Sequence, residues 1–313
     1  MKALALKFCS LSRLRRLRFI LPFFVLGVLI FAQPTRDLGT IHPADQRVRV
    51  VAFGDFGEPG DDAGLPQVAA AINAIHQQQP FHLGLTLGDN FYPRGVKSFD
   101  DPHWANQWHR HYDRLGIPFY ATLGNHDYGG DPQVQVDYTQ QPNNKSWRMP
   151  HRYYTFTAGP VRFFALDTDE GTIGFFRSKP WSDAQRDWLA AELAKPTAAK
   201  WTIVYGHHPI FSDGHHGDEK RLNLKLLPLL KQYKVDAYLA GHEHEMQHLE
   251  MEGMQFFIAG GGGKDTRRIR PKRGSCGIRA FGFLELEATQ SQLTLRLRGT
   301  DGKDVCPAKV LTK

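Results

Sequence analysis

Cysteine is scarce in this chain of 313 residues, which contains only three. Cys9 lies in the N-terminal segment, so the rest of the chain holds Cys276 and Cys306. In an oxidising compartment this even number predicts either one disulfide or two separate thiols, and the sequence leaves both open. Neither residue lies beside a motif typical of a nucleophilic cysteine, and neither indicates a metal bound by cysteine.

A strong excess of one charge is also missing once the first 32 residues are set aside. The whole chain carries +7, but that segment contains six basic residues and no acidic one. The remaining 33 basic and 32 acidic side chains leave a net charge of +1. Because nucleic-acid binding usually depends on a strongly basic surface, we expect no nucleic-acid partner.

Long apolar runs are absent after residue 32. Residues 19–32 form an apolar run of 14 residues behind a basic segment, which is short for a membrane span. This pattern predicts a signal peptide over residues 1–32, cleaved after Ala32. Ile30 is larger than the small residue preferred near a cleavage site, so an uncleaved N-terminal anchor is the alternative. Both interpretations place the body of the protein outside the cytoplasm, secreted or periplasmic, with membrane contact only through residues 19–32.

No internal repeat, low-complexity segment or change of composition divides the chain after residue 47. We therefore expect residues 33–46 to be a linker and residues 47–313 to form a single domain. Within the domain, the polar and proline-rich residues 132–149 predict a loop. Apolar residues at helical spacing predict a helix over residues 222–233.

The first part of this domain predicts a strand–helix–strand unit. Residues 47–53 and 81–87 are rich in apolar side chains and too short for helices, whereas residues 65–78 have apolar side chains at helical spacing. Such a connection places two parallel strands in one sheet, with their carboxyl ends at the same edge. In open α/β sheets that edge is where binding sites form.

Five strand-like runs end in glycine followed closely by a side chain that can bind a metal. These side chains are Asp55, Asp89 with Tyr92, Asn125, His207, and His242 with His244. A capping aspartate or a structural histidine explains any one of them, but five at the same topological position favour a shared site. Carboxylate, phenolate and imidazole suit a hard trivalent ion, while amide oxygen and two imidazoles suit a softer divalent one. Two metals about 3.5 Å apart can clamp a phosphoryl group during in-line displacement.

The order of these motifs, GDFG, GDNFY, GNHD, GHHP and GHEH, resembles that of the binuclear metallophosphoesterases. The tyrosine of GDNFY narrows the resemblance to the purple acid phosphatases, in particular the short tartrate-resistant type. Further similarity lies in Gly95-Val96 with Asp101-Pro102, and in Arg152-Tyr153-Tyr154 leading to Leu166-Asp167-Thr168. The resemblance extends over residues 48–290.

This resemblance implies an α/β fold, a four-layer αββα sandwich of two mixed β-sheets flanked by helices. It also implies a ferric site formed by Asp55, Asp89, Tyr92 and His244. The implied divalent site, for Fe(II), Zn(II) or Mn(II), is formed by Asn125, His207 and His242, with Asp89 bridging the two metals. The catalytic residues that it implies are His126, next to the asparagine ligand, and His216, lining the substrate pocket. His208 departs from the pattern, because the short type usually has an aromatic residue there.

The function implied by the resemblance is that of an extracytoplasmic acid phosphatase. It would hydrolyse small phosphate monoesters or phosphorylated proteins by in-line attack of a metal-bound hydroxide, with His126 or His216 positioning the phosphate or protonating the leaving group. A phosphodiesterase acting on nucleotides or phospholipid head groups is the alternative enzyme. A non-catalytic metal-binding surface protein is the third interpretation, and it would be expected to lack a ligand. The basic residues 264–273 are interpreted either as a cationic rim that attracts phosphorylated substrates or as a solvated loop.

Overall fold

The computed structural model describes residues 36–42, 47–57, 64–169 and 181–313, and the statements below concern these ranges. The predicted signal peptide or anchor over residues 1–32 lies outside them. Within the described ranges, no helix has both the length and the apolar character needed to cross a membrane.

The described strands and helices alternate along the chain. The strands are β1 (Asp37–His42), β2 (Arg47–Phe53), β3 (Leu83–Leu87), β4 (Phe119–Thr122), β5 (Trp147–Arg148), β6 (Tyr154–Ala158), β7 (Val161–Ala165), β8 (Trp201–Tyr205), β9 (Ala237–Ala240), β10 (Met246–Met251), β11 (Met254–Ala259), β12 (Cys276–Ile278), β13 (Gly282–Thr289), β14 (Gln292–Gly299) and β15 (Lys309–Thr312). The helices are α1 (Gly64–Gln78), a π-helical segment (Trp104–His109) continuing into α2 (Arg110–Tyr112), α3 (Pro132–Asp137), α4 (Asp183–Leu193), α5 (Lys220–Lys225) and α6 (Leu227–Gln232). Three short 3-10 turns complete them, at Asp113–Leu115, Asp127–Gly129 and Tyr138–Gln140.

These strands form two mixed sheets. One has eight strands in the order β1-β6-β7-β8-β9-β11-β10-β12, and the other has seven in the order β15-β14-β13-β2-β3-β4-β5. The predicted strand–helix–strand unit is confirmed, because β2 and β3 pair in parallel and α1 lies between them in the chain. On the other side of β2, β13 pairs in an antiparallel direction.

Two apolar clusters hold the layers together. The larger one joins both sheets, and it includes fully buried side chains such as Leu85 on β3 and Ile203 on β8, together with Val68 of α1. The second cluster packs Leu189 of α4 and Leu230 of α6 against the eight-stranded sheet. Helices therefore cover both sheets, and the predicted four-layer αββα sandwich is confirmed.

Three local predictions differ from the structure. Residues 33–46, expected to be a linker, contain β1, which pairs in parallel with β6 and places Leu38 against the core. The predicted loop over residues 132–149 contains α3 and β5; Asp131 caps α3 by accepting a hydrogen bond from the Gln133 backbone. The helix predicted over residues 222–233 is divided into α5 and α6, because Pro228, in the first turn of α6, has no backbone N–H to continue the hydrogen bonds of α5.

A buried ion pair connects three strands of the seven-stranded sheet. Arg49 on β2 and Arg298 on β14 both bind the Glu285 carboxylate on β13, whose side chain is 6% exposed. Burial raises the pKa of Glu285, but the hydrogen bond from Arg49 and the charge of Arg298 outweigh it and hold the pKa below its usual value of 4.5. Such a group stabilises the fold above the pKa of the unfolded chain, and this contribution is lost as the pH falls through the folded value.

We therefore expect Glu285→Gln to lower the free energy of unfolding by about 3 kcal/mol at pH 7, because two arginines lose their buried partner. The loss should shrink below about pH 4.5, where the wild-type carboxyl also becomes protonated. Denaturant unfolding at both pH values measures this difference. Glu252→Gln is the control, since Glu252 pairs with Lys231 at the surface and should contribute less than about 1 kcal/mol. Equal losses in the two variants would contradict the assignment.

Candidate metal centre

Five strands end at the same edge of the fold, and each is followed by predicted metal ligands. β2, β3 and β4 belong to the seven-stranded sheet, whereas β8 and β9 belong to the eight-stranded sheet. The side chains that follow them are Asp55, Asp89 with Tyr92, Asn125, His207, and His242 with His244. Hydrogen-bond distances connect all of them, so both sheets contribute to one site.

The tyrosine half of the site consists of Asp55, Asp89, Tyr92 and His244. The Tyr92 hydroxyl lies 3.0 Å from Asp55 Oδ1, 2.9 Å from Asp89 Oδ2 and 3.3 Å from His244 Nε2. All four residues are at most 4% exposed. Four possible ligand atoms therefore lie close together: the Tyr92 hydroxyl oxygen, one oxygen of each carboxylate and His244 Nε2. The hydroxyl has a single hydrogen, so it can donate to one of these neighbours at a time.

The histidine half consists of Asn125, His207 and His242. His207 Nε2 lies 3.2 Å from Asn125 Oδ1 and 3.1 Å from His242 Nδ1. The same nitrogen lies 3.4 Å from Asp89 Oδ2, so Asp89 contacts both halves. This position is the one that a bridging carboxylate requires.

Backbone carbonyls determine which nitrogen of three histidines faces the site. Nδ1 of His207 lies 2.9 Å from the Leu87 carbonyl, and Nδ1 of His244 lies 3.0 Å from the Asp265 carbonyl. His126 makes the same contact with the Pro93 carbonyl, at 2.8 Å. A carbonyl can only accept, so each Nδ1 carries a hydrogen and each Nε2 is directed to the site. Metal-binding histidines are commonly oriented in this way.

The backbone at the strand ends is strained. Asp55, Asp89 and His242 have φ angles of 57°, 50° and 70°, in the left-handed region that residues other than glycine rarely adopt. In this conformation the backbone nitrogen of His242 donates to Asp55 Oδ2 at 2.8 Å. Strain of this kind costs about 1–3 kcal/mol per residue and is concentrated at functional sites.

Electrostatics favour positive charge at this position. Burial raises the pKa of Asp55 to about 8. Burial opposes the charged form of His207, but Asp89 and Asp55 raise its pKa to about 10. Burial and the two carboxylates also raise the pKa of Tyr92 well above its usual value, so a phenolate there needs a strong cation. The donor set and its charges therefore fit two metal ions.

The sequence did not single out Asp127, Asn90 and Gln135, which connect two of the ligand loops. The buried Asp127 carboxylate accepts hydrogen bonds from the backbone of Gly124 at 2.9 Å and of Asn90 at 3.1 Å. Gln135 Nε2 donates to it at 2.8 Å. These bonds fix the loop of Asp89 and Tyr92 relative to the loop of Asn125. The position of Asp127 within the GNHD motif was the available signal for it.

Both predicted catalytic histidines lie beside predicted ligands, and each side chain is 38% exposed. The His126 ring packs on Tyr92 with centroids 4.4 Å apart, and its Nε2 is 4.0 Å from Asp89 Oδ2. The His216 ring packs on His242 with centroids 4.3 Å apart. The structure thus brings all nine predicted site residues together.

Glu243 is a further residue that sequence reasoning missed. Its carboxylate is fully buried and accepts hydrogen bonds from the backbone nitrogens of His215, His216 and Gly217. Its Oε2 also lies 3.3 Å from His216 Nδ1. Glu243 therefore fixes both the loop and the ring of His216, from a position between the ligands His242 and His244.

Comparison with known proteins agrees with this geometry. Residues 48–246 match the model of the calcineurin-like phosphoesterases, and the chain belongs to that family. It is 32% identical over 276 residues to purple acid phosphatase 17 of Arabidopsis thaliana, covering 80% of this chain and 81% of the relative. It is also 32% identical over 275 residues to tartrate-resistant acid phosphatase type 5 of Mus musculus, covering 80% and 82%. Within the family the chain is thus one of the purple acid phosphatases, a group of phosphoric monoester hydrolases, and the resemblance seen in the motifs is confirmed.

A solved structure with the same fold has a different role. GAP50, the anchor in the inner membrane complex of Plasmodium, superposes with a TM-score of 0.74 at 25% identity, covering 85% of this chain and 89% of that one. A shared fold therefore does not by itself establish catalysis. In this chain every predicted ligand is present, and hydrogen-bond distances connect all of them.

Close packing at Gly124 provides a test of the site. A methyl group added there would collide with the carboxylate and the backbone nitrogen of Asp89. We expect Gly124→Ala to lose at least one of two metal equivalents while its circular dichroism spectrum stays unchanged, as measured by elemental analysis of the purified protein. Gly129→Ala is the control in the same loop, because its nearest neighbour would be the flexible Arg94 side chain at 3.2 Å. Full metal content in Gly124→Ala would show that Asp89 does not hold a metal.

Proposed function

We propose that this protein is an extracytoplasmic acid phosphatase that hydrolyses phosphate monoesters with an Fe(III)–M(II) centre. The observation that carries the proposal is the convergence of seven possible ligands from both sheets, with the Tyr92 hydroxyl between two buried carboxylates. Of the residue types present, phenolate is the one that best suits a trivalent ion.

The donor sets assign the two metals to different halves of the site. The tyrosine half would hold Fe(III), and the histidine half would hold Fe(II), Zn(II) or Mn(II), with Asp89 shared. When bound, the two ions neutralise the substrate phosphate and lower the pKa of water at the site.

The exposed histidines supply the remaining chemistry. Alkoxide leaving groups are strongly basic and need a proton, and general acid help is worth about 10²–10⁴ in rate. His126 is held by the Pro93 carbonyl, so its Nε2 is the nitrogen that can exchange a proton with a substrate. His216 is held by Glu243 at the opposite side, beside His242. We assign proton transfer to His126 and substrate contact to His216.

The proposed substrates are small phosphate monoesters or phosphorylated proteins. An anionic substrate is supported by the basic residues 264–273, called here the cationic loop. The backbone nitrogens of Lys264 and Arg267 donate to the carbonyls of Asp55 and His244, each at 2.8 Å. Arg267 Nη1 lies 3.3 Å from His216 Nδ1, and within the described ranges it has no carboxylate partner. Its guanidinium is therefore available to a substrate phosphate at the mouth of the site.

Location outside the cytoplasm is supported by two features. Residues 1–32 have the composition of a signal peptide or anchor. Cys276 and Cys306 form a disulfide between β12 and the segment that precedes β15, a bond that persists in oxidising compartments. Recovery of these two residues as free thiols from native cells would argue against this location.

The function is tested by comparing the monoester and the diester that phosphate forms with p-nitrophenol. The purified protein should hydrolyse p-nitrophenyl phosphate with a much higher kcat/KM than bis(p-nitrophenyl) phosphate, because a dianionic phosphate can contact both metals and the cationic loop. Asn125→Ala, which removes a ligand of the histidine half, controls for contaminating phosphatases and should lose most of the activity. A preference for the diester would instead indicate a phosphodiesterase.

The identity of the trivalent ion has a spectroscopic signature. If Tyr92 binds Fe(III) as phenolate, the protein should show a charge-transfer band in the visible region. Tyr92→Phe should abolish this band, while elemental analysis still finds iron, because the other ligands remain. A colourless wild-type protein that is fully active with zinc or manganese alone would overturn the Fe(III) assignment.

A further inference from the structure

Three histidines lie close enough together to suggest a single metal site. One ring nitrogen each of His207, His208 and His242 lies within 4.8 Å of the others. By distance alone, His208 would be a third imidazole ligand of the histidine half. The hydrogen bonds around Thr168 exclude this.

Thr168 is the centre of a hydrogen-bond arrangement whose directions are determined. Its hydroxyl oxygen accepts from the backbone nitrogens of His207 at 3.2 Å and His208 at 3.0 Å. A threonine hydroxyl has two lone pairs and one hydrogen, so both lone pairs are occupied. The third contact, 3.0 Å to His208 Nδ1, must therefore use the hydroxyl hydrogen. Nδ1 of His208 is the acceptor.

This direction determines the state of the His208 ring. An imidazole whose Nδ1 accepts a hydrogen bond is neutral and carries its hydrogen on Nε2. His207 and His244 have the opposite orientation, since their Nδ1 atoms donate to carbonyls and Nε2 is the nitrogen left to bind a metal. His208 differs from these ligands because its Nδ1 lone pair is occupied by the Thr168 hydroxyl and its hydrogen lies on Nε2.

The position of the His208 ring places it beside the histidine half of the site. The His208 ring packs on His242 with centroids 4.5 Å apart, on a row that continues to His216 at 4.3 Å. The residue is 7% exposed. Within the described ranges the ring makes its hydrogen bond through Nδ1. Nε2 is not one of the buried atoms left without a partner, so it reaches solvent, where water or a ligand can accept its hydrogen.

We propose that His208 is a neutral hydrogen-bond donor to the oxygens of the substrate phosphate, and is not a metal ligand. The proposal rests on the proposed function in that it places phosphate between the two halves of the site. It adds a substrate contact that differs from His126 and His216, because the Thr168 hydroxyl prevents His208 from acting as a cation in this arrangement.

The first test separates a ligand from a donor. His208→Phe keeps the ring shape and removes the donor, whereas His208→Gln keeps an N–H group. Elemental analysis should find the same metal content in both variants and the wild type. Calorimetric titration of the metal-loaded proteins with orthophosphate should give a Kd roughly 10-fold higher for His208→Phe, as expected for one hydrogen bond to an anion, with most of the affinity kept in His208→Gln.

Two results would overturn the proposal. Loss of one metal equivalent in His208→Phe would make His208 a ligand, and an unchanged Kd for orthophosphate would remove it from the substrate site. Neither measurement needs turnover, so a protein that binds phosphate but does not hydrolyse monoesters would contradict the proposed function and leave the role of His208 intact.

The second test observes the tautomer directly. Long-range ¹H–¹⁵N correlation spectra of the metal-free protein, labelled at histidine, should contain an Nε2-protonated ring that is missing from His208→Phe. Thr168→Ser should keep this pattern because it keeps the hydroxyl, and Thr168→Val should lose it. An Nδ1-protonated or cationic ring for His208 would contradict the hydrogen-bond assignment.

Discussion

The structure depends on the burial of two carboxylates, Asp55 and Asp89, at the edge shared by both sheets. Buried carboxylates are costly unless hydrogen bonds and positive charge compensate them. The surrounding features supply this compensation: the Tyr92 hydroxyl lies between the two groups, the backbone of His242 donates to one, and the backbone of His126 donates to the other. Left-handed backbone at both aspartates brings these donors within reach. The fold therefore tolerates backbone strain at Asp55 and Asp89, which places two carboxylates where cations are to bind.

The sequence predicted this edge well because its signals are local. An apolar run followed by glycine and a ligand lies within a few residues, and parallel pairing then brings the carboxyl ends of β2, β3 and β4 together. The contacts of Thr168 and Glu243 could not be predicted in this way, since their partners are about 30–40 residues away in the chain. β1 was missed because its polar residues and glycine weaken the strand pattern. α3 was missed although Asp131 and Pro132 form a recognisable helix start, because the polar composition around them favoured a loop.

Histidine illustrates how one residue type obtains different chemistry from its neighbours. The ring nitrogens of His207 and His244 are set by carbonyls, that of His208 by a hydroxyl, and that of His216 by the Glu243 carboxylate. A motif such as GHHP therefore predicts where the imidazole rings lie. Which ring nitrogen carries the hydrogen depends on residues that are distant in the sequence.

The division of the site between two sheets has a mechanical consequence. Three ligand-bearing strands belong to one sheet and two to the other. Side-chain packing across the interior keeps the sheets in register, together with hydrogen bonds such as those from Gly54 to Ala259 and from His207 to Leu87. Any sliding of one sheet over the other would change the separation of the tyrosine half from the histidine half. The size of buried side chains such as Leu85 and Ile203 therefore helps to determine the distance between the two halves of the site, although neither residue contacts it. A requirement for a fixed distance between two ions therefore also constrains the side chains that can be accommodated in the hydrophobic interior.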